Sequence, residues 1–374
     1  MKAAKPKNLN GSATLPAKPD SLPSLYNWGV PMVTSIIPET APTADLAKVR
    51  DEFRELRSGC GIYDLDSRVK ISLSGSDRVR WLNGMVTNNI RDLAVGHGVY
   101  AFLLNPQGRI LGDLYAYNRG DSITVDTDQA QSEKLLGTFD HYIIMDDVEV
   151  SKLSEPTAIG IAGPKARQAL HAAGVEIPDL EPLQFVEMTC RDTPLTVARG
   201  DNPSLETYEV WLASDAVAAM RDALIKAGAR PVSESTIELL RIAAGIPRYG
   251  QDIRERDLPQ ETEQQRALNF SKGCYVGQEI VERIRSRGAV HRMFTGFEVQ
   301  GELPALGTKI QSDGRDVGEI TSAASLPLAG GERRVALGYI RREIGTPGKQ
   351  LQSGSTQLSV AALPFSEIFQ RENL

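Results

Sequence analysis

The first clear pattern of apolar and polar positions along the chain is helical. From about residue 44 to 58, apolar side chains recur at the spacing of one helix face, at Leu46, Val49, Phe53 and Leu56. Thr43 can cap the start of this segment and Gly59 can end it. The pattern predicts an amphipathic helix.

Short apolar runs typical of β-strands come next. They cover residues 69–73, 100–104, 110–117 and 122–125. The turn residues Asn105-Pro106-Gln107-Gly108 separate two of these runs and therefore predict a hairpin. Between the first two runs, residues 76–85 have a helical pattern.

A second unit begins near Pro156 and again mixes the two kinds of element. The predicted strands cover 158–162, 195–199 and 208–212, and the predicted helices cover 164–173, 215–227 and 235–244. After Arg292 the helical patterns stop. Five short runs divided by Gly and Pro, at 294–299, 308–312, 317–322, 335–340 and 358–361, predict a small all-β sandwich or barrel. The fold class is therefore α+β, followed by a β module.

Composition narrows the functional classes. A chain of 374 residues suggests two or three packed units, and a net charge of −6 argues against coating of nucleic acid by the whole surface. No apolar run is long enough to span a membrane. The three cysteines are far apart, which argues against a disulfide framework or a zinc site. Without the apolar core of a secretory signal, a cytoplasmic protein is expected. Neither a Gly-x-Gly-x-x-Gly loop nor a Walker loop is present.

The most unusual segment is Lys272-Gly273-Cys274-Tyr275-Val276-Gly277-Gln278-Glu279. Its glycines allow a tight turn and close approach to a ligand, and a helix is predicted from Val276 to Ile284. A thiol near a helix N-terminus and a lysine is expected to be reactive, because both favour the thiolate. The alternative is a tight loop whose cysteine is a small buried apolar group.

Arginines follow this segment closely, at positions 283, 285 and 287. If the chain were extended, the three would project on one side of a strand and could bind a carboxylate or phosphate. The alternative is a solvated charged face, partly neutralised by Glu279 and Glu282.

Two carboxylates lie in apolar, strand-like runs. Asp113 follows Gly112 in one run, and Glu209 stands between Tyr208 and Val210 in another. An acid in such a position must be paired, exposed at the rim of the sheet, or used in chemistry. Edge strands also carry charged residues routinely, so each is a weak signal by itself.

Lys272 to Glu279 resembles the KGCYxGQE motif of the YgfZ family of folate-binding iron–sulfur cluster assembly and repair proteins, which is related to the glycine cleavage T-protein. Further likeness to T-proteins lies at residues 57–64, 75–89 and 104–117, at Gly163-Pro164 and at Leu240 to Gly245. The resemblance runs from about residue 44 to the C-terminus.

The resemblance implies a three-part fold around a tetrahydrofolate site. Its expected parts are a flexible tail (1–43), a folate-binding ferredoxin-like unit (44–155 with 230–290), a second α/β unit (156–229) and a C-terminal β-barrel (291–374). By position, Glu209 matches the T-protein glutamate that binds the pterin, and neighbouring Tyr208 is assigned to the same cofactor site. Arg241 is expected to hold the folate or the sheet beneath it. Asp113 matches one of two adjacent acids, of which an aspartate assists methylene transfer; Gly112 replaces the other.

Three functions follow as hypotheses. The first is a tetrahydrofolate-binding accessory protein for assembly or repair of iron–sulfur enzymes, in which Cys274 is the reactive group and Lys272 sets its environment. Its partners would be iron–sulfur enzymes or assembly proteins, with no nucleic acid or membrane. The second is a folate-dependent aminomethyltransferase with Asp113 as acid–base group. The third is a folate-binding regulator without chemistry.

Overall fold

The helices of the chain pack around two β-sheets and a closed barrel. The computed structural model describes residues 43–288 and 290–369, so the tail predicted for 1–43 lies outside the described residues except at its last position. The α-helices in this part are α1 (Thr43–Ser58), α2 (Arg78–Met85), α3 (Gln129–Tyr142), α4 (Ala166–Ala172), α5 (Val217–Lys226), α6 (Glu234–Ala243) and α7 (Gln278–Arg287). Across the described residues, no helix is both long and apolar enough to cross a bilayer.

The first sheet has five strands in the order β3-β4-β5-β2-β6. These are β2 (Arg68–Ser74), β3 (Gly98–Leu104), β4 (Ile110–Asn118), β5 (Ile123–Asp128) and β6 (Glu149–Lys152). β3 and β4 form the predicted hairpin. One face of this sheet is apolar and packs against α2 and α3, through residues such as Leu82 and Phe139.

The second sheet has six strands in the order β11-β1-β7-β10-β9-β8. These are β1 (Gly61–Asp64), β7 (Thr157–Ala162), β8 (Phe185–Cys190), β9 (Thr193–Arg199), β10 (Thr207–Leu212) and β11 (Arg230–Pro231). One face of it carries Ile161, Tyr208 and Val210 into a core with α4 and α5. The other face meets the first sheet.

The C-terminal strands close into a barrel in the order β12-β15-β14-β13-β16-β17. These are β12 (Arg292–Gln300), β13 (Lys309–Ser312), β14 (Arg315–Leu328), β15 (Gly331–Arg341), β16 (Gln350–Ser353) and β17 (Thr356–Ala361). Phe53 of α1 and Ile242 of α6 pack on its outside against Phe294 and Tyr339. The predicted fold class, mixed α and β with a small C-terminal barrel, is confirmed, whereas the domain boundaries stay predictions.

Several elements had too weak a pattern to be predicted, among them β16 and α3. β16 alternates buried and exposed positions, but Leu351 is its one apolar residue. The period-2 signal is therefore carried by polar side chains. α3 buries Gln131 and Ser132 beside Leu135 and Phe139, so the face that packs on the sheet is half polar. Gln131 proves important for the site.

Candidate functional site

Strand alternation gives the first sheet a second, polar and aromatic face. On β4, Leu114 and Ala116 point into the apolar core, whereas Asp113, Tyr115 and Tyr117 lie at the alternate positions. Arg68 and Lys70 on β2 and Asp126 on β5 continue this face, as their mutual ion pairs show. It is the face directed at the second sheet.

A line of four rings joins the two sheets; we call Tyr100, Tyr115, Tyr117 and Trp211 the aromatic row. Neighbouring ring centroids in it are 5.0, 6.5 and 5.0 Å apart. The first three rings belong to β3 and β4, and Trp211 belongs to β10. A carboxylate is bonded at each end of the row, Asp113 at Tyr100 and Glu209 at Trp211.

Glu209 is held by one of its two carboxylate oxygens. Its Oε2 accepts from Trp211 Nε1 at 2.7 Å and from Lys70 Nζ at 3.4 Å. Among the described residues, Oε1 has no hydrogen-bond partner, and the side chain is 24% exposed. The carboxylate is therefore oriented by the protein while one oxygen stays free to accept.

Buried charges behind Glu209 fix Lys70. Its Nζ lies 3.0 Å from Asp126, which also pairs with Arg68 at 3.1 Å. Although burial opposes it, these two cations hold the pKa of Asp126 below its usual range. On the other side, burial and the charge of Glu209 raise the pKa of Tyr63, so this phenol stays protonated.

The Asp113 carboxylate accepts hydrogen bonds from side chains of two elements, β3 and α3. Tyr100 Oη donates to its Oδ2 at 2.6 Å, and Gln131 Nε2 donates to its Oδ1 at 2.6 Å. Gln131 Oε1 in turn accepts from the backbone N–H of Asp113 at 3.0 Å. Both carboxylate oxygens are thus positioned by neutral donors.

Gly112 leaves the space that Gln131 needs to reach Asp113. A Cβ at position 112 would lie 2.6 Å from Leu135 Cδ1 and 2.8 Å from Gln131 Oε1. Both side chains are buried, and Gln131 is committed to Asp113. Glycine therefore lets α3 approach the strand closely, which gives a physical reason for the departure from the paired acids.

Arg266 and Asp201 add an ion pair that sequence reasoning missed. The Arg266 guanidinium lies over the Tyr100 ring, 4.5 Å from its centroid, and pairs with Asp201. Tyr115 Oη also donates to Asp201 at 3.2 Å. Both charged residues border a cavity of about 480 Å³, whose apolar walls include Phe294 and Leu363. Asp201 lies in irregular chain and Arg266 in a single 3-10 turn, so no periodic pattern could have indicated either residue.

Arg241 is part of a buried network that joins α6 to the barrel. It donates to Asp252 and to the carbonyl of Ile246, both at 2.7 Å, and to Ser322 Oγ at 2.9 Å; it also pairs with Glu238. These contacts account for the guanidinium within the protein itself. They favour support of the fold over direct contact with folate.

Tyr208 and Glu209 are neighbours on β10 and so point to opposite faces. Tyr208 is 1% exposed in the apolar core of the second sheet, and its hydroxyl donates to Glu206. The structure thus separates Tyr208 from the face that carries Glu209, and the two do not share a site.

Lys272 acts inside the protein. Its Nζ donates to the carbonyls of Asn83, Val86 and Asn88, each at 2.6 Å. Burial lowers the pKa of Lys272 to about 7, but three acceptors match the three protons of an ammonium group, which favours the charged form. The side chain thereby ties its loop to the last turn of α2 and to the segment that follows it.

Cys274 is exposed, whereas Cys60 and Cys190 are buried. Its loop ends at Gly277, whose φ of 81° is left-handed and whose Cα faces the β3–β4 turn; a Cβ there would meet the Asn105 carbonyl at 2.6 Å. α7 then begins at Gln278, two residues after the predicted start.

The three arginines after this loop lie on α7, so the extended arrangement considered from the sequence is wrong. Arg283, Arg285 and Arg287 are exposed. Arg285 stacks on Phe270 at 4.4 Å from the ring centroid and pairs with Glu282 at 3.6 Å. This geometry is that of a solvated, partly neutralised helix face.

Comparisons with known proteins show the family and the fold. Residues 23–272, more than half of the chain, match the family model described as the GCVT N-terminal domain. The aminomethyltransferase of Rippkaea orientalis is 27% identical over 327 residues, covering 82% of this chain and 85% of the relative. That of Rubrobacter xylanophilus is 28% identical over 302 residues, covering 79% and 80%. The crystal structure of glycine cleavage system aminomethyltransferase T from Bartonella henselae covers 85% of this chain and 89% of that chain, with a TM-score of 0.77 and 21% identity, which shows a shared fold.

Proposed function

The chain belongs to the family of the GCVT N-terminal domain, and from that premise we propose that it binds tetrahydrofolate between its two sheets and acts as a folate-dependent one-carbon transferase of the aminomethyltransferase type. The observation that carries the proposal is the half-free carboxylate of Glu209. A pterin presents an amino group and a ring N–H side by side, and an oriented carboxylate can accept from both.

The surroundings of Glu209 fit a reduced folate. The aromatic row reaches from Glu209 to Asp113, and Tyr115, its half-buried member, offers flat apolar contact for a ring system. Arg266 and Asp201, which contact the row, border the cavity of about 480 Å³, within the range of small-molecule sites. The residues present therefore suit a ligand with an aromatic, hydrogen-bonding head.

Tetrahydrofolate, when bound, supplies the nitrogen atoms that accept a one-carbon unit. The role proposed for this chain is to hold the head group by Glu209 and to handle a proton at Asp113. Tyr100 and Gln131, both neutral donors, fix the Asp113 carboxylate. A fixed carboxylate is suited to general acid–base catalysis.

Replacing Glu209 by glutamine is expected to weaken tetrahydrofolate binding about 30-fold, because a hydrogen bond to a charged acceptor contributes about 2 kcal/mol. Anaerobic isothermal titration calorimetry measures the effect. Glu149→Gln, which removes the same charge from an exposed position of the edge strand β6, is the matched control and should bind like wild type. Equal affinity of the Glu209→Gln variant and wild type would argue that the pterin lies elsewhere.

A second candidate function is the accessory role in iron–sulfur assembly or repair, together with the narrower membership of the YgfZ group; both stay predictions. The observation that favours this role is the exposure of Cys274 on a loop that Lys272 fixes. One thiolate can supply one ligand to a cluster, so a partner protein would have to supply the others.

Cys274→Ser is expected to abolish rescue of iron–sulfur enzyme activity in a strain that lacks this gene, if the second function holds. Serine keeps the size of the side chain but removes the soft sulfur ligand. Cys190→Ser, at a buried cysteine whose thiol donates to the Gly174 carbonyl at 3.3 Å, is the control and should rescue. Full rescue by the Cys274→Ser protein would remove this candidate and leave the transferase.

A further inference from the structure

Two segments that carry site residues meet at a single side chain. Tyr100, on β3, holds Asp113, and Arg266, in the turn that leads to the Lys272 loop, covers the Tyr100 ring. The relative position of these segments therefore sets the geometry at the Asp113 end of the aromatic row. The amide of Asn88 bonds to both.

Asn88 Nδ2 donates to the Tyr100 carbonyl and to the Arg266 carbonyl, each at 2.8 Å. Its Oδ1 accepts from the Asn89 N–H at 2.8 Å, which fixes the rotamer. Its own carbonyl is one of the three that accept from Lys272. The side-chain oxygen, the side-chain amide nitrogen and the backbone carbonyl of Asn88 are thus all bonded, and the amide nitrogen donates one proton to each of the two segments.

We propose that Asn88 is a positioning residue of the folate site, which holds the Tyr100–Asp113 pair and the Arg266–Asp201 pair in register. The proposal rests on the proposed function and deepens it. Asn88 acts through Tyr100 and Arg266, and the hydrogen bond from Lys272 to its carbonyl fixes the backbone of Asn88. The cysteine loop and the folate site are thereby joined by one chain of hydrogen bonds.

The two segments are also held together by a residue other than Asn88. The buried Thr87 also bridges them, since its Oγ1 accepts from the Phe102 N–H at 2.9 Å and donates to the Ala267 carbonyl at 2.6 Å. Removing the Asn88 amide should therefore leave the fold in place while it releases the alignment of Tyr100 and Arg266.

The test compares Asn88→Ala with Asn83→Ala, a matched asparagine whose Oδ1 accepts from the Ile90 and Arg91 N–H groups and touches neither segment. Asn88→Ala should weaken tetrahydrofolate binding about tenfold, and Asn83→Ala less than twofold. Hydrogen exchange without ligand should rise at residues 98–104 and 264–270 in the Asn88 variant alone. If Asn88→Ala does not fold, Asn88→Asp, which keeps the bond to Asn89, replaces it.

Three results would overturn the proposal: affinity within twofold of wild type for the Asn88 variant, equal weakening by both variants, or faster exchange spread over the whole chain. Failure of the wild-type protein to bind tetrahydrofolate would instead refute the proposed function. In that case the exchange pattern alone decides whether Asn88 aligns the two segments.

Discussion

Replacing Lys272 by methionine is expected to lower the free energy of unfolding by about 4 kcal/mol, because three carbonyls lose a buried donor together. Methionine keeps an unbranched apolar stem, so the loss reports the ammonium group more than packing. Urea unfolding followed by circular dichroism measures it. The loop from 269 to 277 should also become the first site of proteolytic cleavage.

Lys349→Met is the matched control for Lys272→Met, since Lys349 is exposed, and its effect should stay within about 0.5 kcal/mol. A loss below 1 kcal/mol for the Lys272 variant would mean that the carbonyls find other partners. The role assigned to the ammonium group would then be wrong.

Replacing Asp113 by asparagine is expected to lower kcat about 1000-fold in ammonia release from an aminomethylated lipoyl carrier protein with tetrahydrofolate. The amide can keep contacts with Tyr100 and Gln131, but it cannot take up a proton. KM for tetrahydrofolate should stay within threefold, because Glu209 holds the other end of the site.

Asp121→Asn, at an exposed acid in the turn after β4, is the control and should leave kcat unchanged. A loss below tenfold at Asp113 would exclude it as the acid–base group. Absence of ammonia release by the wild-type protein would remove the transferase function altogether.

The sequence predicted the fold well where side-chain periodicity is strong. Leu46, Val49, Phe53 and Leu56 predicted α1, and the apolar runs predicted most barrel strands, because burial on one face imposes a regular pattern. α3 was missed because its packed face includes Gln131, whose polar side chain is used at Asp113.

The candidate site was predictable only in part. Glu209 and Asp113 could be singled out because an acid in an apolar strand needs an explanation. In the structure, each carboxylate accepts a hydrogen bond from an aromatic side chain. Lys272 was singled out for the chemistry of Cys274, whereas its ammonium group serves three carbonyls. The direction of the Lys272 side chain depends on backbone carbonyls nearly 190 positions earlier in the chain. The sequence around Lys272 does not indicate these partners.

Gly112 also has a consequence for descent within the family. An acid at this position would need residue 131 or 135 to move or to be shortened, because the ends of both side chains occupy the space that the new one needs. Family members with a side chain at position 112 should therefore differ from this chain at position 131 or 135 as well.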